Sequence, residues 1–212
     1  MKKLLSIIAI LSLSLTVWAK DYNKAMTEAI DKMYQARTSQ EYLEVANVFD
    51  RIGSAEQDEW LPYYYSAFCY TMLSTNTKEA GLIDEFLDKA DEYLATAEQR
   101  KGDKVEVLAM KGFTAMLRIS VDPATRGQEY SMKSVGHLQQ AMQIDNKNPR
   151  VVLMLGQMQY GTAQFFGSGT SEACEMFNTA LELFITEESQ DLGLNPRWGK
   201  SQVESMLTKC EG

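Results

Sequence analysis

One histidine, His137, and three cysteines, Cys69, Cys174 and Cys210, are all the imidazoles and thiols in 212 residues. A single imidazole excludes histidine clusters for a metal, and a Ser-His-acid triad would have to be built around that one side chain. Its position on the polar flank of a predicted helix reads as a solvated residue. With only four prolines, few glycines and no low-complexity run, the chain has no linker-like stretch and reads as one continuous unit. Positive charge is also scarce, with 21 basic against 29 acidic side chains. Clustered Lys and Arg are what neutralise phosphates, so the balance excludes a nucleic-acid role.

Beyond the first nineteen residues no apolar run approaches the ~20 residues of a spanning helix. Those nineteen, MKKLLSIIAILSLSLTVWA, have a basic start, an apolar stretch and small residues at the end. They predict a secretory signal peptide over 1–19, cleaved after Ala19, and a domain over 20–212 with no membrane span. No cysteine precedes Cys69, which excludes a lipid-modified start. Loss of Lys2 and Lys3 takes the net charge to about −10. An odd number of cysteines enters an oxidising compartment. Cys174 and Cys210 sit in the last two predicted helices and are candidates for a bridge whose geometry the sequence leaves open. Cys69, in SAFCYTML, reads as a small buried hydrophobe.

Apolar residues recur at three- and four-residue steps over 22–36, 39–52, 58–75, 79–99, 104–120, 124–144, 149–164, 171–185 and 197–210, which predicts nine helices and no strand. Asp122-Pro123, Asn148-Pro149 and Asn195-Pro196 each offer a side-chain acceptor followed by a proline, a helix-start signal. Short connections imply antiparallel neighbours.

Three of these helices share one small-large-small spacing: Ala90, Leu94, Ala97; Ser134, Leu138, Ala141; Ala173, Phe177, Ala180. Small residues let a partner helix approach and the large one fills the gap. With Val152, Leu155 and Gly156 in the preceding helix, the pattern resembles the tetratricopeptide (TPR) repeat family. The resemblance covers about 55–185, with a closing helix at about 196–211. It departs from the family at Lys111, Tyr64 and Gln159, and in a repeat period of 48 and 44 residues. It implies an all-α, right-handed α-α superhelix (a TPR-like solenoid) of antiparallel helix pairs with lengthened repeats. The chain also looks like exported helical-repeat proteins of Bacteroidetes-type bacteria, which implies a periplasmic location, with secretion as the alternative.

In that family the first helices line a concave surface, and the matching register puts Tyr65, Ala109, Phe113, Arg150, Leu153, Gln157 and Tyr160 there. The resemblance therefore implies a scaffold or adaptor whose partner is a protein or peptide, bound by Tyr65, Phe113, Arg150, Gln157 and Tyr160, with no cofactor and no enzymatic activity. Two alternatives stand beside it. Terminal helices can fill the groove and make those residues core, or the protein can be a carrier of a small ligand, a sugar or a metal.

The other chemistry-bearing features have plainer readings. The methionines fall singly at helical spacing, as core fillers do. Carboxylate pairs such as Asp84 with Glu85, Asp88 with Asp91, and Glu187 with Glu188 read as solvated faces. YGTAQFFGSGT, residues 160–170, lacks the Gly-Lys-Ser/Thr ending of a phosphate loop. It reads as an elaborated turn with Gly167 or Gly169 at positive φ and with Phe165 and Phe166 folded back on the helix ends.

Overall fold

The computed structural model describes residues 21–211, and the expected signal peptide lies outside them. All regular structure among the described residues is helical: α1 (residues 21–35), α2 (Ser39–Ala55), α3 (Leu61–Thr75), α4 (Ala80–Gln99), α5 (Lys104–Ile119), α6 (Pro123–Ile144), α7 (Pro149–Phe166), α8 (Ser171–Glu188) and α9 (Lys200–Cys210). No described helix is long and apolar enough to cross a membrane.

Local chemistry sets the helix starts. Thr38 caps α2 in a reciprocal box, its hydroxyl accepting from the Glu41 N–H while the Glu41 carboxylate accepts from the Thr38 N–H. Asp122 and Asn148 cap α6 and α7 ahead of their prolines, as the sequence indicates. The third such signal fails: Asn195-Pro196 lies in a turn, where the Asn195 N–H donates to the Leu192 carbonyl. The last helix starts instead at Lys200, after Gly199 at φ 117°.

The helices stack as antiparallel hairpins, α3 on α4, α5 on α6 and α7 on α8, in an all-α repeat array. First helices also meet each other, α3 with α5 and α5 with α7, whereas α4, α6 and α8 make no comparable contact among themselves. The first helices therefore crowd along one side and the second helices fan out on the other.

The shared spacing is the lock between layers. All nine residues of the three small-large-small sets are essentially inaccessible. Two of the three large residues, Leu138 and Phe177, seat where the facing helix lacks a side chain. A Cβ on Gly112 would lie 2.6 Å from Leu138 Cγ, and one on Gly156 would lie 2.8 Å from Phe177 Cε1. At the first of these crossings Ser134 Oγ donates to the Gly112 carbonyl at 2.8 Å, so backbone and side chain meet with nothing between them.

Gly112→Ala and Gly156→Ala are therefore expected to destabilise. An alanine gains up to ~1 kcal/mol of helix propensity, but forcing a methyl into a filled core costs ~1–3 kcal/mol. Thermal melts should show a lower Tm for both. Gly136→Ala, whose added methyl meets nothing within 4 Å, should raise it.

α9 packs on α8 and is bonded to it through Cys174–Cys210, with the Cα atoms 6.0 Å apart. Cys69 is free and buried, and burial pushes its thiol far above the usual range, so it is an inert core group.

Candidate functional site

The side of the array formed by α3, α5 and α7 is not an open surface. The stretch between α8 and α9 runs across it and inserts Trp198, which is 5% exposed. Its ring stacks on Phe113 with centroids 5.7 Å apart and packs against Phe68 at 5.8 Å. Its Nε1–H donates to Tyr64 Oη at 2.8 Å, and the Tyr64 hydroxyl donates in turn to Glu106 Oε2. Tyr65 donates its hydroxyl to the Leu194 carbonyl at 2.7 Å.

Arg150 lies beneath this layer. Its Nε and Nη2 donate to the Glu106 carboxylate at 2.8–3.0 Å, and Nη1 and Nη2 to Glu187 at 2.9 and 2.6 Å. Asn148 adds a donor to Glu106 Oε1 at 2.6 Å. Burial works against the Arg150 charge, but the two carboxylates outweigh it and hold the guanidinium above its ordinary range.

Of the five residues expected to contact a partner, Tyr65, Phe113 and Arg150 are thus buried and spoken for by this chain itself. Ala109 and Leu153 are buried with them. Gln157 and Tyr160 keep some exposure, Tyr160 leaning on Phe177 with centroids 6.1 Å apart. The physical reason is the return of the chain: a tryptophan, backed by Leu194, removes more apolar surface from water than an empty groove would.

The same return builds a cleft of about 590 Å³ beside Trp198. Met33, Tyr34 and Arg37 come from α1 and its end, Tyr42 from α2, Phe68 and Met72 from α3, and residues 197–202 with Glu204 close the far side. This volume lies within the ~300–1,000 Å³ typical of small-molecule sites. One wall is aromatic and thioether, and the facing wall carries Arg197, Lys200, Ser201, Gln202 and Glu204.

Both ends of the chain are stitched together there. The Arg197 N–H donates to Tyr34 Oη at 3.0 Å, and the Arg197 guanidinium lies 5.5 Å from the Tyr34 ring centroid. Its one carboxylate contact, Asp31, is a loose 3.5 Å pair. Arg37 turns its guanidinium onto the Tyr34 and Ala36 carbonyls at the end of α1, at 2.9 and 2.7 Å. Desolvation raises the Tyr34 and Tyr42 phenols, so both remain protonated donors at neutral pH. Gly199 is required at the turn: its φ is 117°, and a Cβ there would lie 2.5 Å from Phe184 Cζ.

A second cleft, about 410 Å³ between α4, α5 and α6, holds His137 with Tyr130, Lys111, Arg118 and Lys133. Its cations are already matched. Arg118 donates to Asp88 and Asp91 at 2.7 and 2.8 Å, Lys111 to Glu98 at 2.7 Å, and Lys133 to Glu129 at 2.6 Å. Asp84 holds Arg126, so Asp84, Asp88, Asp91 and Glu187 are ion-pair partners, not the idle solvated faces their spacing suggests. His137 is half-buried, with no hydrogen-bond partner at Nδ1. Burial and the neighbouring Lys111 lower its pKa, which corrects its reading as a freely solvated residue. No group of three or more potential metal-binding side chains occurs among the described residues.

No protein-family model matches the chain, and no curated protein matches it. Among solved structures it is similar to the HusA haemophore from Porphyromonas gingivalis, with a TM-score of 0.75 and 26% sequence identity over 91% of this chain and 92% of that one. The neighbour's source is compatible with the Bacteroidetes-type resemblance, and the likeness extends over the whole array and not the hairpins alone. A haemophore is a small-molecule carrier, neither an adaptor nor an enzyme. That likeness, with the groove filled by Trp198, overturns the expectation of a protein or peptide partner.

Proposed function

We propose that this protein is an exported carrier of a planar, amphiphilic small molecule of the haem class, held in the cleft that Tyr34, Tyr42, Phe68, Met72 and Trp198 form between the two ends of the chain. The observation that carries the reading is the near full-length likeness to a haemophore. The chemistry of the cleft agrees with it. The aromatic and thioether wall suits a flat apolar ring system, and Arg37 and Arg197 in the lining suit its carboxylates.

The carrier comprises residues 20–212, acts outside the cytoplasm, in the periplasm or beyond it, and performs no reaction on its cargo. The single histidine lies in the other cleft. Recognition therefore rests on the ring faces and the acid groups, not on an imidazole bound to the metal.

Titration of ferric haem into the purified exported protein tests this. One equivalent should bind and quench the emission of Trp198, which after export shares the chain with Trp60 alone. Arg37→Glu with Arg197→Glu should weaken binding by roughly ten-fold or more, since reversing two lining charges costs at least about 1.4 kcal/mol toward a dicarboxylate. His137→Gln should leave it unchanged. Absence of binding, or equal binding by the double variant, overturns the proposal.

A further inference from the structure

Phe165 and Phe166 are 73% and 75% exposed, and they cap the end of α7 with their rings edge to face at 5.1 Å. They do not fold back on the helix ends as the sequence suggests. Helix α7 runs on to Phe166 and is turned off at Gly167, φ 65°. The result is a helix that ends in two adjacent unsheltered aromatic rings.

The stretch of chain that carries them lacks charge. Between Arg150 and Glu172 no side chain is charged, although a quarter of the chain is Asp, Glu, Lys or Arg. Burial explains the similar gap over 60–77, because α3 is buried on nearly every side. It does not explain residues 164–169, every one of which is exposed. An exposed, uncharged, aromatic tip on an otherwise acidic protein is matched to a surface that repels neither its rings nor its neighbours.

We infer that Phe165 and Phe166 are a wedge that dips the α7–α8 tip into the interfacial layer of a lipid bilayer. Phenylalanine rings on an interfacial helix bury in that layer, and adhesion there scales with the apolar area inserted. No basic residue lies between Arg150 and Arg197 along the chain, and without Lys2 and Lys3 the formal charge is about −10. The surface it fits is therefore zwitterionic lipid, and anionic lipid repels it. Two rings give weak, reversible contact. The inference does not depend on what the cleft between the chain ends holds.

Flotation of the purified exported protein with phosphatidylcholine vesicles tests it. Wild-type protein should float in part, and Phe165→Ser with Phe166→Ser should lower the bound fraction by roughly ten-fold at equal lipid. Adding phosphatidylglycerol should reduce wild-type retention. In Phe166→Trp, emission should shift to the blue with vesicles and be quenched by brominated lipid, which reads insertion directly. Both positions are exposed, so the variants should keep the wild-type circular dichroism spectrum. The inference is wrong if wild-type protein stays in solution, if the serine variant floats equally well, or if the tryptophan emission does not move.

Discussion

Arg150→Met is expected to lower the stability of the ligand-free protein by about 3–5 kcal/mol. The substitution leaves Glu106, 6% exposed, as a buried carboxylate facing only neutral donors from Asn148 and Tyr64. Neutral hydrogen bonds do not replace a lost counter-charge in a site from which water is excluded. Chemical denaturation should show the loss as a lower midpoint. Adding Glu106→Gln to Arg150→Met should recover part of it, because the orphaned charge goes with its partner. Arg150→Lys should recover little, since one ammonium cannot span two carboxylates that the guanidinium fork engages together. An Arg150 that served as an exposed contact for a partner would give a change within about 0.5 kcal/mol. The measurement therefore separates the two roles for this residue.

Loss of the Cys174–Cys210 bond, by reduction or by Cys174→Ser with Cys210→Ser, should cost about 3–4 kcal/mol, from the chain entropy of a loop spanning 36 residues. A second effect follows from where α9 lies. Lys200, Ser201, Gln202 and Glu204 are a wall of the cleft, and the helix that carries them packs on α8 beside the bond. If reduction releases α9 in nine molecules of ten, the apparent affinity for haem falls about ten-fold, because only the docked fraction binds. Titrations with and without dithiothreitol, run well below the melting temperature, measure this. Reduced protein that binds haem as tightly as oxidised protein would show that the wall holds without its covalent tie.

Most of the architecture was legible in the sequence because it follows from local rules. Helix periodicity, the Asp122 and Asn148 caps and the small-large-small spacing each involve residues within a few turns of one another, and each reappears in the structure with boundaries shifted by a few residues. The cleft was far less legible. It depends on Arg197 meeting Tyr34 across 163 residues of chain, and no periodicity records such a meeting. One signal was available. Trp198 and Gly199 interrupt a polar stretch just where a helix start was read from Asn195-Pro196, and a bulky aromatic beside a glycine fits an inserted ring better than a helical first turn. The carboxylates at 84, 88, 91 and 187 misled for the same reason, since their cations lie 27–42 residues away along the chain.

The tie between Tyr34 and Arg197 also fixes the number of hairpins. An open array can gain or lose a repeat by duplication and remain a working array of different length. Here an extra hairpin between α6 and α7 would carry Trp198 one layer away from Tyr64 and Phe68, and would pull Arg197 off Tyr34. Descendants of this chain can vary their turns, but they cannot change their repeat count without giving up the cleft.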